Sequence, residues 1–294
     1  MTKSLDDCRS IKDVLTLQQL PLLERRMLLE FVFDKPRAWF ISHDDELLST
    51  EMKARLQSLF ERRLAGEPLA YLIAQREFMS LRFKVSPAVL IPRPETELLV
   101  ERAIAFLENL KARGLSRARV LDIGTGSGII AISIKHYFPE AEVWAVDLSA
   151  DALTIARENA QNQNADIQFI QSDLFEAFKS LENGFDLIVS NPPYIDRDDP
   201  HLQQGDVRFE PLMALTDYAD GLTLIRRLIQ AAPQFLKSNS SAKALETALW
   251  LEHGWDQAAA VRALLTQQGF KQVQSLQDLA GIERISGGLL GLNA

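Results

Sequence analysis

Asn191-Pro192-Pro193-Tyr194 follows the apolar run Phe185-Asp186-Leu187-Ile188-Val189-Ser190. Two prolines fix φ and remove two backbone donors, which predicts a rigid loop at the carboxyl end of a strand. The Asn191 side-chain oxygen and the Pro192 carbonyl can both accept hydrogen bonds from a planar NH₂ group. Such a nitrogen, in an amide or an exocyclic amine, is a poor nucleophile because its lone pair is delocalised. Holding it before an incoming methyl group is work for positioning and fixed dipoles, with no covalent intermediate. Asn191, Pro192 and Tyr194 are therefore the catalytic candidates, Tyr194 offering an aromatic face to the planar group. Together with Pro193 they are also the substrate-binding candidates. The plainer alternative is a Pro-rich turn that only ends a strand.

A second motif precedes it. After Val120-Leu121-Asp122-Ile123 comes Gly124-Thr125-Gly126-Ser127-Gly128, then a helical pattern. A strand, a small-residue turn and a helix N-terminus let a ligand approach the backbone beside unpaired N–H groups. Nineteen residues past Gly128, Asp147 closes the next strand, where a carboxylate can accept both hydroxyls of a ribose. A dinucleotide site would put its third glycine where Ile129 stands, and a phosphate-cradling loop would carry a Lys that is missing. The spacing fits S-adenosylmethionine, although the motif alone says only nucleoside-type cofactor. The plainer reading is a tight turn packing a helix on a strand. Gly124, Thr125, Gly126, Ser127, Gly128 and Asp147 are the cofactor-binding candidates.

These motifs need elements to carry them. Strands are expected at 119–123, 142–147, 167–171, 185–190, 244–252 and 271–276, with helices at 129–137 and 150–162 between the first of them. That alternation implies an α/β fold with a mostly parallel sheet and helices on both faces, whose ligands sit at the carboxyl ends of the strands. Upstream, Pro21 opens a helical stretch through Val32. Met52, Leu56, Leu59, Phe60 and Leu64 recur at spacings that place them on one helix face, which predicts a small bundle ended by Gly66-Glu67-Pro68. Phe78, Leu81, Phe83, Val85 and Val89, punctuated by Pro87, Pro92 and Pro94, read as a hairpin linking two domains. A helix then starts near Glu95. The expected domains are a helical unit at 1–74, a linker at 75–94 and the α/β unit at 95–294.

Of 294 residues 47% are hydrophobic, enough for a buried core and against disorder as the main state. A net charge of −8 argues against a protein that lives on a nucleic-acid backbone. The single cysteine, Cys8, permits no internal disulfide and no Cys-based metal framework, so no metal is expected. The first ten residues do not read as a secretory signal, and no apolar run reaches membrane-spanning length. The expectation is a soluble, cytoplasmic monomer without a membrane role.

On its motifs the chain resembles the HemK/PrmC family of methyltransferases, which modify a glutamine of translation release factors. The resemblance rests on Gly66-Glu67-Pro68 with Tyr71, Arg76-Glu77-Phe78, Ile91-Pro92-Arg93-Pro94-Glu95-Thr96-Glu97, the glycine loop, Asp147 and Asn191 to Tyr194. It continues through Phe209-Glu210-Pro211, Asp220-Gly221-Leu222 and Leu251-Glu252-His253-Gly254. It implies a seven-stranded Rossmann-like S-adenosylmethionine-dependent domain behind a helical domain that docks the release factor. It also implies methylation of the side-chain amide of a Gly-Gly-Gln glutamine. Carried over by position, Leu174 and Asn191 join the cofactor contacts, and Asn191 to Tyr194 grip the glutamine. Ala74 stands where the family usually has Gly, Ser240 to Ala244 where Gly-Gly is common, and Ile282-Glu283-Arg284 where Asn-Glu-Arg is usual.

A nucleic-acid adenine methyltransferase would use the same loop chemistry, but base flipping wants a basic groove that the charge does not suggest. A cofactor-binding scaffold without catalysis would have no reason to keep Asn191, Pro192 and Tyr194. His253 reads as a hydrogen-bonding residue at a strand end, since an amide proton becomes acidic only as the methyl arrives. Arg93 and Glu95 either line the site or pair with each other. Arg25-Arg26 and Arg62-Arg63 read as solvated helix faces, and Cys8 as inert.

Overall fold

The computed structural model describes residues 4–180, 184–237 and 245–291. It divides into two compact units, Met1–Gln75 with Gly205–Phe209, and Arg76–Gln204 with Glu210–Ala294.

In the first unit, Ser10 caps the helix Ile11–Thr16 in a reciprocal box with Asp13, and Ser49 caps Thr50–Leu64. The helix Leu22–Phe33 follows Pro21, as its fixed φ favours. Leu28, Leu29, Leu56 and Phe60 are buried together with Ile11, Val14 and Cys8. Leu64 departs from the expected face and is 55% exposed. Five residues after Leu59, it is rotated roughly 140° from it around the helix. Arg25 corrects its reading as a solvated side chain: it is buried, and its guanidinium donates to the carbonyls of Val14 and Leu15 at the end of the first helix. Arg63 pairs with Glu24 at 2.8 Å and with Asp206 at 3.5 Å, and Arg62 pairs with Glu67.

The second unit opens with strands β1 (Gln75–Phe78) and β2 (Leu81–Lys84), the first residue of β1 belonging to the first unit. Met79 and Ser80 between them both have positive φ, the geometry of a two-residue hairpin turn. Val85 and Val89 are buried beyond the hairpin without joining a strand. The next helix is Glu97–Ala112, preceded by a single tight turn at Pro94–Thr96.

The main sheet holds β3 (Arg119–Ile123), β4 (Glu142–Asp147), β5 (Ile167–Gln171), β6 (Leu187–Ser190), β7 (Thr247–Glu252), β8 (Lys271–Gln277) and β9 (Glu283–Leu290) in the order β5-β4-β3-β6-β7-β9-β8. Five strands pair in parallel, and β9 runs against both its neighbours. Helices Ile129–Tyr137 and Ala150–Asn162 lie where the periodicity puts them. β6 starts two residues later than expected: Phe185 instead bridges to Leu236, and Asp186 bonds to the flanking strands through its backbone while its carboxylate takes the Arg119 N–H and the Lys237 ammonium. Ala244, placed in the expected β7, lies outside the described residues with the Ser240 to Ala244 run.

Both faces of the sheet are covered. On β7, Ala248 and Trp250 join the core with the helices Glu97–Ala112 and Ile129–Tyr137, whereas Leu249 and Leu251 face the opposite core with Ile225, Leu228, Val261 and Leu265. The chain order of neighbours reverses between β3 and β6. In open α/β sheets such a point leaves a crevice at the carboxyl edge.

Candidate active site

Register alone brings the two motifs together. Ile123 is paired with Val146 on one side and with Ser190 on the other, so Gly124, Asp147 and Asn191 each stand within one residue of that row. Ser190 Oγ donates to the Ile123 carbonyl at 2.6 Å and ties the two strand ends. A Cβ on Gly124 would come 4.0 Å from the Asn191 carbonyl oxygen, which measures how closely the loops approach.

Above this row lies a cavity of about 490 Å³. Gly124 to Ser127, Asp147, Leu174 and Asn191 to Pro193 all line it. Gly128 and Tyr194 are not among its lining residues. Gly128 instead begins the helix Ile129–Tyr137 with φ +85°, and a Cβ there would meet Ile132 at 2.8 Å and Ala156 at 3.3 Å. Tyr194 is packed beside the second core, and its hydroxyl donates to Glu252 Oε1 at 3.1 Å.

Acidic groups are held in fixed poses. Asp147 Oδ2 accepts from Gly126 N–H at 2.8 Å and Oδ1 from Ser149 N–H at 2.9 Å, so the carboxylate clasps the glycine loop while facing the cavity. Burial pushes its carboxyl above the ordinary range against the backbone N–H groups that face it. Asp122, fully buried beneath the loop, accepts from Thr125 Oγ1 and Ala131 N–H through one oxygen, and its other oxygen has no partner among the described residues. Desolvation pushes Asp122 up to about 7.

Several residues that sequence reasoning passed over hold the loops. Asn191 Nδ2 donates to Thr96 Oγ1 at 3.1 Å, and Thr96 Oγ1 donates to Glu252 Oε2 at 2.7 Å. Gln257 Nε2 donates to the Tyr194 carbonyl at 2.9 Å. Gly221, φ +72°, packs so closely that a Cβ would lie 2.3 Å from that same carbonyl oxygen. Asp217 accepts backbone N–H groups of Ala219, Gly221 and Thr223 on the cavity wall. No short-range spacing signals these partners, since Thr96 and Glu252 are separated by more than half the chain.

Arg93 lines the cavity but pairs with the buried Glu210, whose other oxygen accepts the Ile91 N–H; the pairing with Glu95 is not formed. His253 is buried, donating through Nδ1 to the Gly254 carbonyl at 2.8 Å while Nε2 accepts from Ser286 Oγ at 2.7 Å. Burial lowers its pKa, which keeps the ring neutral. Among the described residues, no group of three His, Cys, Asp or Glu side chains is placed to hold a metal ion, and no helix is long and apolar enough to cross a membrane.

Comparison with known proteins agrees with this architecture. Residues 101–205 match the family described as Methyltransferase small domain, and residues 9–73 match the PrmC N-terminal domain. A release factor glutamine methyltransferase of Bordetella pertussis is 51% identical over 95% of this chain and 99% of its own length. One of Neisseria gonorrhoeae is 45% identical over 92% of this chain and 94% of its own. In fold, the chain is similar to a methyltransferase from Pyrococcus furiosus, with a TM-score of 0.51 at 17% identity, covering 83% of this chain and all of that one.

Proposed function

The chain belongs to the release factor glutamine methyltransferase family, and from that premise we propose how its site performs the reaction. It is an S-adenosylmethionine-dependent enzyme that methylates a release factor on the side-chain amide of a glutamine. We assign the modified residue to the Gly-Gly-Gln motif, the docking of the factor to residues 1–74, the linking hairpin to 75–94 and catalysis to 95–294. The enzyme is read as a monomer that acts in the cytoplasm, where translation factors work, and has no direct nucleic-acid partner.

The residues present fit the cofactor. A cavity of about 490 Å³ is within the range of small-molecule sites, and its walls carry Asp147 beside a backbone turn. Asp147 has acceptor capacity left after its two backbone bonds, suited to ribose hydroxyls. Leu148, Ile130 and Leu174 supply apolar wall. When bound, S-adenosylmethionine supplies an activated methyl group.

The rest is work for this chain's own atoms. Asn191 Oδ1 and the Pro192 carbonyl take the two N–H bonds of the glutamine amide and hold its nitrogen facing the cavity. Because these acceptors are fixed before substrate arrives, little reorganisation is needed in the transition state. The amide proton becomes acidic only as the new bond forms and leaves to water, so no strong base is required. His253, enclosed by Gly254 and Ser286, takes no part.

The observation that carries this reading is the placement of Asn191 and Asp147 on one cavity, at the ends of the two strands that flank β3. The test is incubation with S-adenosylmethionine and an unmodified release factor, with unmethylated duplex DNA in parallel, followed by mass spectrometry. One added methyl on the Gly-Gly-Gln glutamine and none on DNA is expected. Label on adenine, or on another residue of the factor, would overturn it.

A further inference from the structure

We infer that Thr96 and Glu252 are positioning residues that lock the Asn191 amide with its oxygen turned to the substrate; this rests on the reading of Asn191 as the holder of the glutamine amide. An asparagine side chain presents an oxygen at one end and an NH₂ at the other, nearly equal in shape and opposite in hydrogen-bonding sense. Only one orientation can accept from a glutamine NH₂. The other sets donor against donor.

A chain of hydrogen bonds settles the choice. Glu252 is 1% exposed and Thr96 is completely buried. The Thr96 hydroxyl has one proton, which it donates to Oε2 of the ionised Glu252 at 2.7 Å. Toward Asn191 it can then only accept, and Asn191 can meet an acceptor only with Nδ2, at 3.1 Å. Oδ1 is left at the free end. Tyr194 donates to the second Glu252 oxygen at 3.1 Å, so one carboxylate orients both ends of the Asn191 to Tyr194 loop.

The fold supplies the juxtaposition. Ser190 is paired with Leu251 across β6 and β7, which sets Asn191 and Glu252 side by side one step further on. Thr96 stands immediately before the helix Glu97–Ala112 and reaches both. A buried acid here is otherwise unexplained, since it does not line the cavity.

The test compares full-length wild-type protein with Thr96→Val, Thr96→Ser and Glu252→Gln, using an unmodified release factor and a pH of about 8, where Glu252 is ionised. Readouts are kcat, KM for S-adenosylmethionine, cofactor affinity by calorimetry and the thermal unfolding midpoint. Thr96→Val keeps the shape and loses the hydroxyl, so kcat should fall about tenfold or more with KM and affinity for cofactor within about twofold. Thr96→Ser restores the hydroxyl and should stay within about threefold of wild type in kcat. Glu252→Gln can offer Thr96 a donor, which frees the hydroxyl to point at Asn191; its kcat should fall like that of Thr96→Val. Full kcat in Thr96→Val overturns the lock, and so does a Thr96→Ser variant as slow as Thr96→Val. A wild-type protein that leaves the glutamine unmodified overturns the functional reading itself, whereas normal wild-type turnover with an unaffected Thr96→Val overturns only the lock.

Discussion

The side chain of Asn159 pairs with the backbone of Lys84 as a neighbouring strand would: its Oδ1 accepts from Lys84 N–H at 2.7 Å and its Nδ2 donates to the Lys84 carbonyl at 3.0 Å. The other Nδ2 proton goes to the Ser127 carbonyl at 2.9 Å. One buried amide on the helix Ala150–Asn162 thus secures the end of β2 and the glycine loop together.

Asn159→Leu removes three hydrogen bonds and leaves three backbone groups without that partner. A stability loss of about 3 kcal/mol is expected in denaturant unfolding, with weaker cofactor binding because the loop is released. Unchanged stability would show that the loop needs no such tie.

Asn191→Ala should lower methyl transfer about a hundredfold or more and leave cofactor affinity within a few-fold, because the side chain acts on the nucleophile in the transition state. Rate measurement under saturating cofactor, with calorimetry alongside, separates the two effects. Turnover near the wild-type rate would remove Asn191 from the mechanism.

Asp147→Ala should weaken cofactor binding about tenfold or more through loss of acceptors for the ribose hydroxyls. Gly126 and Ser149 also lose their acceptor, so a modest fall in thermal stability is expected with it. Equal affinity in calorimetry would move the cofactor away from this strand end.

Burial pushes the Glu252 carboxyl up to about 7 from an ordinary 4.5, opposed by its bonds from Thr96 and Tyr194. Between those values the native state holds a proton that the unfolded chain has released. Its contribution to stability is therefore complete below about pH 4.5 and is lost as pH rises toward 7. Asp122, also raised to about 7, acts in the same sense. Glu252→Gln should flatten this slope, with the wild type losing about 3 kcal/mol more than the variant across the window in denaturant titrations at a series of pH values. Parallel curves for the two proteins would place the proton elsewhere.

Ala74 has φ +54°, a left-handed conformation that costs a residue with a Cβ roughly 1–2 kcal/mol. Ala74→Gly should therefore stabilise the protein, by up to about 1 kcal/mol after the added freedom of the unfolded chain is subtracted. A destabilised variant would mean that the Ala74 methyl makes contacts worth more than the strain.

Sequence patterns were most informative where structure is local. The helices Ile129–Tyr137 and Ala150–Asn162 and the strands Arg119–Ile123, Glu142–Asp147 and Ile167–Gln171 follow directly from periodicity and turn residues. β9 was invisible to that reasoning, because Gly287-Gly288 interrupts it and a glycine pair reads as a break. The candidate loops were legible for the same local reason, each being a compact motif at a strand end. Their supports were not. Thr96 with Glu252, Arg93 with Glu210 and Asn159 with Lys84 are pairs that only the register of distant strands and helices brings within reach. Arg25 shows the converse hazard: two adjacent arginines on a helix look alike in sequence, yet one is turned inward onto the carbonyls of another helix.

The first unit is discontinuous, since Gly205–Phe209 belongs to it together with Met1–Gln75. Within that unit Asp206 answers Arg63, and Arg208 donates to the Ala65 carbonyl at 2.7 Å. On a translating ribosome the helices would emerge first and wait for this last piece. At ordinary elongation rates the intervening stretch takes roughly ten seconds to synthesise. During that interval Arg63 has only Glu24 as its ion-pair partner of the two, so completion of the N-terminal unit is timed by synthesis of β3 to β6, the strands whose ends carry both candidate loops.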